Sequence, residues 1–122
     1  MSRPKLHNYL RTYRKRASLS QDEVASMLGV SGGPKVSRYE GGSREPSLET
    51  ALRYSALFGA PIEELFAGLG EKVADETARR ARVLERQVSR TSADRFTARK
   101  LATLRAIRCP SGQLIHDERS TP

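Results

Sequence analysis

The sequence predicts an all-α protein, with a domain of five short helices followed by a two-helix C-terminal extension. Three observations predict it. Apolar residues recur at spacings of three and four from Leu6 onward, and no alternating strand pattern competes. Serines that suit helix starts and glycines that suit helix ends divide the first half into short segments. Between Gly29 and Lys35 there is almost no connecting chain, so the helices on either side must cross at a steep angle.

Leu6, Leu10, Tyr13 and Ala17 form one face of a first helix over residues 4–17. Ser20 opens the second: Ser20 and Glu23 make an S-x-x-E capping box, with Leu19 and Val24 placed as a hydrophobic staple. Val24, Ala25 and Leu28 face inward, and Gly29 fits the C-terminal stop. The third helix starts at Pro34, whose missing N–H costs nothing at a first position, with Gly33 as its N-cap. Val36, Tyr39 and Glu40 then share one side; Pro34, Ser37 and Arg38 share the other, with Lys35 at the flank. Ser47 caps a fourth helix carrying Leu48, Ala51, Leu52 and Ala56, which stops at Gly59. Pro61 opens a fifth with Ile62, Leu65 and Phe66 buried. After Gly68 and Gly70, the stripe Val73, Thr77, Ala81, Leu84 and Val88 marks an Arg-rich helix over residues 70–90. Ala93, Phe96, Leu104 and Ile107, with Leu101 at the edge, mark a seventh, capped by Thr91 or Ser92. The expected organisation is a domain over 1–68, a helical extension over 69–108 and a loose polar tail over 109–122.

The composition narrows the function classes. The 122 residues suffice for one modest core with an appendage, and the net charge of +8 points to a polyanion: nucleic acid, an anionic membrane or an acidic protein. The charge is uneven. Residues 1–70 hold 10 Lys and Arg against 7 Asp and Glu, net +3; residues 71–122 hold 12 against 7, net +5. No apolar run approaches the ~20 residues of a membrane span, and the N-terminus lacks the apolar core of a secretory signal. Cys109 is the only cysteine, which suits a reducing, cytoplasmic setting.

Enzymatic, metal and cofactor chemistry are not expected. His7 and His116 are far apart and lack partners at ligand spacing, and Cys109 has no activating pattern. The S-x-x-K match at Ser2–Lys5 stands alone. "GLG" at 68–70 follows no strand, so it is no phosphate loop, and nothing assembles a nucleophile, base and oxyanion site.

The stretches "LSQDEVASMLGV", "VSRYEGG" and "REPSLETALRYSALFGAPIEELF" occur in the order found in the helix-turn-helix family of phage repressors and Cro proteins, also called the xenobiotic-response-element type. The segment Leu6 to Phe66 resembles that family. The resemblance implies a repressor-like five-helix domain whose third helix enters the major groove of double-stranded DNA. It places base contacts at Lys35, Ser37 and Arg38, phosphate contacts at Gln21, Ser43 and Arg44, and a structural pair between Arg14 and Glu40. The stretch "GGPK" is one residue longer than the family pattern, so the first two base-contacting positions fall near Gly33 and Pro34, which carry no side-chain donors. An arginine such as Arg38 can donate two parallel hydrogen bonds to guanine O6 and N7.

The apolar stripes of the extension need a partner surface. A homodimer formed through Val73, Leu84, Val88, Phe96, Leu101 and Leu104 would supply one and would read two half-sites of a palindromic operator, as a transcriptional repressor does. The other occupant is a protein partner, as for an antitoxin or an adaptor. Helices folded back on each other or on the first domain would need neither. A membrane partner is not expected.

Overall fold

Helices joined by brief connections make up most of the described chain. The computed structural model describes residues 6–91 and 94–109. Ser2–Lys5, Ser92, Ala93, His116 and the tail from Pro110, on which some expectations rest, lie outside them. Among the described residues there are seven helices and no strand, and none is long and apolar enough to cross a membrane. The helices fall in two units, Met1–Gly70 and Glu71–Pro122.

The first unit holds α1 (Leu10–Arg16), α2 (Gln21–Leu28), α3 (Gly33–Gly41), α4 (Leu48–Phe58) and α5 (Ile62–Leu65). The Ser20–Glu23 capping box forms as expected, with Ser20 Oγ taking the Glu23 N–H and Glu23 taking the Ser20 N–H. Val24, Ala25 and Leu28 are buried, and Leu19 packs against the same core. Burying a side chain such as Leu28 stabilises a fold by ~1.5–3 kcal/mol. The centre of the core is aromatic. The fully buried Tyr54 ring stacks on Phe58 and meets Tyr39 and Phe66 edge to face, with centroids 6.0–6.3 Å apart. Its hydroxyl has no hydrogen-bond partner among the described residues, and burial pushes its pKa up.

The helices start and face differently from expectation in several places. α1 begins at Leu10 rather than near residue 4, because the residues before it bond elsewhere. Tyr9 N–H donates to the Leu65 carbonyl (2.7 Å), and the His7 carbonyl accepts from Leu69 N–H (3.0 Å). Asn8, just before the N-cap Tyr9, accepts the Leu10 N–H through Oδ1 and so satisfies the first N–H of the helix. Leu6 is consequently exposed, while Leu10 is buried and Tyr13 half-buried. α3 begins one residue early, with Gly32 as N-cap and Pro34 just inside. On α4 only Ala51 of the expected apolar face is buried. Leu48 and Leu52 are 73% and 53% exposed, and Thr50, Ala51 and Tyr54 face the core. Thr50 can do so because its hydroxyl oxygen takes a hydrogen bond from Ser47 (3.1 Å).

α6 runs from Ala67 to Arg90, straight through Gly68 and Gly70, and α7 spans Thr97–Arg105. In the second unit Ala78 and Ala81 are the buried residues of α6. Of the expected stripe, Ala81 is buried and Val88 is half-buried, but Val73 and Leu84 are about half exposed. Thr77 is also exposed and returns its hydroxyl to its own helix at Val73. The inward side is set instead by polar ties to α7. Arg82 donates to the Leu104 carbonyl, and Glu85 pairs with Arg82 (3.3 Å) and Arg105 (2.7 Å). The start of α7 is held by Asp94, two residues before the N-cap Phe96, and not by Thr91, whose hydroxyl bonds Val88. Asp94 Oδ1 accepts from the Phe96 N–H, the Thr97 hydroxyl and the Thr97 N–H, which together hold its carboxyl below the usual carboxylate range.

Gly68 lies where the N-terminal segment crosses the start of α6. A Cβ there would stand 2.0 Å from the Leu6 carbonyl oxygen and 2.8 Å from His7 Cα, and both are backbone atoms that cannot swing aside. Gly68→Ala should therefore destabilise the first unit by ~1–3 kcal/mol, as overpacking does. A thermal melt should show the midpoint lowered by several degrees; an unchanged midpoint would show that the crossing is not held.

Candidate nucleic-acid interface

Two features position α3. The first is the turn itself. α2 ends at Gly29 in the left-handed conformation, Val30 N–H bonds back to the Ala25 carbonyl (3.1 Å), and the Val30 side chain packs on the core. Four residues after α2 ends, Gly33 N–H donates to Asp22 Oδ1 (2.9 Å). A carboxylate in the first turn of α2 thus caps the first turn of α3, whose orphan N–H groups and positive dipole end favour it. A Cβ on Gly33 would meet Asp22 Oδ1 at 2.6 Å, so glycine lets the two helices approach this closely.

The second feature is a charge cluster centred on Glu40 of α3. Arg14 of α1 donates through Nε to Glu40 Oε2 (2.5 Å) and through Nη2 to Oε1 (3.2 Å); its Nη1 reaches the Leu19 carbonyl (3.1 Å). Gln21 of α2 donates to Glu40 Oε1 (3.1 Å). The pair is largely shielded, with 12% of the Arg14 side chain and 5% of that of Glu40 exposed. The Glu40 hydrogen bond, more than charge attraction, holds the Arg14 pKa above its usual value against the opposing effect of burial. Asn8 adds a further tie by donating to the Tyr39 carbonyl (2.9 Å).

With Val36 and Tyr39 buried and Glu40 engaged, the other side of α3 is free. Pro34, Ser37, Arg38 and Gly41 are exposed, and Lys35 is half-exposed beside them. Arg38 makes no ion pair among the described residues. Its guanidinium has five N–H donors to offer. After α3 the chain folds back on the helix end. Gly42 is left-handed, and the N–H groups of Ser43 and Arg44 both converge on the Arg38 carbonyl. The Ser43 hydroxyl donates there too, at 3.4 Å, and a hydroxyl has a single proton to give. Arg44 is exposed.

The residues named from sequence are thus distributed as follows. Lys35, Ser37 and Arg38 share the outer side of α3, with Arg44 in the loop that follows it. Gln21 stands at the start of α2 with its amide committed to Glu40, and the Ser43 hydroxyl is committed to backbone. Val73, Leu84 and Phe96 are each about half exposed in the second unit; Val88, Leu101 and Leu104 are half-buried. Asp22, Asn8 and Arg53, whose Nη1 donates to the Leu28 carbonyl (2.9 Å), were missed. Asp22 carried a readable signal, a carboxylate in one first turn facing a glycine-rich start of the next. The partners of Asn8 and Arg53 are 31 and 25 residues away, which no local spacing reveals. Among the described residues no cluster of His, Cys, Asp and Glu could hold a metal ion.

A family model for a helix-turn-helix domain matches residues 6–67. The chain is also 36% identical over 61 residues to the uncharacterized HTH-type transcriptional regulator MJ0272 of Methanocaldococcus jannaschii, an alignment covering 50% of this chain and 91% of that protein.

Loss of Glu40 should be costly to the first unit. Glu40→Ala leaves the Arg14 charge shielded and unpaired. It should cost ~3 kcal/mol, near the low end for a broken buried pair because Arg14 keeps some contact with solvent. Denaturant unfolding measures this. A loss under about 1 kcal/mol, the size of a surface pair, would show that the cluster does not organise the unit.

Proposed function

Because the chain belongs to the helix-turn-helix domain family, we propose that it is a sequence-specific double-stranded DNA-binding regulator of transcription, of the Cro and phage-repressor type, acting as a homodimeric repressor on a palindromic operator. The observation that carries this reading is the outer side of α3. It offers Ser37, Arg38 and Lys35 to a partner while every large side chain opposite is packed or bonded. A single helix held this way fits the ~12 Å wide major groove. Arg38 reads a guanine edge, Lys35 reaches a base or a phosphate, and Ser37 contacts either. Arg44 and the start of α2 lie against phosphates, where free N–H groups at a helix N-terminus attract anions. Gln21 works chiefly by orienting Glu40, and Ser43, whose N–H is bonded to the Arg38 carbonyl, meets a phosphate only by turning its exposed hydroxyl away from that carbonyl. The name of the archaeal relative supports the regulatory role.

Dimerisation rests on the exposed apolar residues of the second unit. Val73, Leu84 and Phe96 are each nearly half exposed. A dimer joined there would carry two α3 helices, one for each half-site of a palindrome, and such half-sites lie ~34 Å apart. Repression then requires only that the bound dimer cover its operator.

Arg38→Ala should weaken binding to the preferred site by ~1–3 kcal/mol and relax the choice at one base position. Titration of preferred and random duplexes separates the outcomes. Equal losses on both would remove Arg38 from base reading. Light scattering should give a mass that rises from one toward two chains with concentration, and a single-chain mass throughout would reject the homodimer.

A further inference from the structure

Two acids of α6 are engaged, while five of its six cations are not. Its acids Asp75 and Glu85 are half-buried and engaged: Asp75 receives the Cys109 thiol, and Glu85 holds Arg82 and Arg105. Its cations Lys72, Arg79, Arg80, Arg86 and Arg90 are all exposed, and none forms an ion pair or side-chain hydrogen bond among the described residues. Glu76 falls between Arg79 and Arg80 and pairs with neither. Lys72, Arg79 and Arg86 repeat every seven residues and Arg90 follows four later, so they line one side of the helix. Eighteen residues at ~1.5 Å each give a row about 27 Å long.

Like charges close together on a helix repel, at a few tenths of a kcal/mol per near pair. The fold engages acids of α6 and leaves this cost standing, which points to a polyanion outside it. Double-stranded DNA carries one charge per ~1.7 Å of axis, so a rigid row of this length always faces several phosphates. An anionic membrane would require a broad apolar side beside the cations. α6 offers only the separate, half-exposed Val73, Val83 and Leu84, and no aromatic residue.

We propose that the exposed cationic side of α6 is a second DNA-binding site, one that grips the phosphate backbone of a duplex without regard to sequence. It takes the same partner as the reading given for α3, but it reads no base, so the two can fail separately. The test uses the full chain and a random duplex across a salt series. Each lost phosphate contact flattens the plot of log affinity against log salt by ~0.9. Replacing Arg79, Arg86 and Arg90 together by Gln should flatten it by about 2.7, while leaving the ratio of preferred to random affinity as it was. The matching triple replacement by Lys keeps the charges and should keep the slope, and unchanged helicity by circular dichroism secures both variants. An unchanged slope in the Gln variant overturns the site, even if Arg38→Ala still abolishes base preference. Binding to phosphatidylserine-containing vesicles that the Gln variant loses, with its DNA slope intact, overturns it in favour of a membrane. Absence of any DNA binding by the unaltered chain overturns both sites.

Discussion

One carboxylate ties the first three helices together. Glu40 belongs to α3, and it receives Arg14 from α1 and Gln21 from α2. A helix of nine residues has little stability of its own, since nucleation is costly and few turns follow. What holds α3 is therefore tertiary. Val36 and Tyr39 anchor it by burial, Asp22 fixes its first N–H, and Glu40 fixes its rotation about its own axis. Once these are set, Ser37 and Arg38 have no choice but to face outward. The shielded ion pair adds orientation more than stability, because the desolvation of two charges offsets much of their attraction.

Much of this was legible in the chain. The capping box at Ser20, the serine cap at Ser47 and the left-handed glycines that end α2 and α4 are local signals, and local physics decides them. The two sides of α3 were equally readable, since Val36 and Tyr39 stand apart from a run of small and cationic residues. Elsewhere the reading failed, for identifiable reasons. Residues 6–9 carry helical spacing, but hydrogen bonds to Leu65 and Leu69 draw them out of a helix. On α4, ranking by hydrophobicity favoured Leu48 and Leu52 over Thr50 and Tyr54. The core selected shape and aromatic contact, and a neighbouring serine satisfied the threonine. On α6 small alanines and a charged tie to α7 set the packing within the second unit, which a stripe of larger apolar residues expected to meet a partner surface does not reveal.

The site was legible to the extent that its side chains are exposed and chemically simple. Lys35, Ser37 and Arg38 stand on the outer side of α3, as its helix period predicts, and Arg44 is exposed in the loop after it. Gln21 and Ser43 show what spacing omits: a residue in the right place can already have its donor committed to its own protein. The exposed cations of α6 are the opposite case, with donors committed to nothing within the described fold.

The most direct test of base reading by α3 is selection of bound duplexes from a random DNA pool by the full chain. The account predicts enrichment of an inverted repeat whose half-sites are centred about one helical turn, ~34 Å, apart. Recovery of no preferred sequence, with an affinity that merely collapses as salt rises, would contradict it.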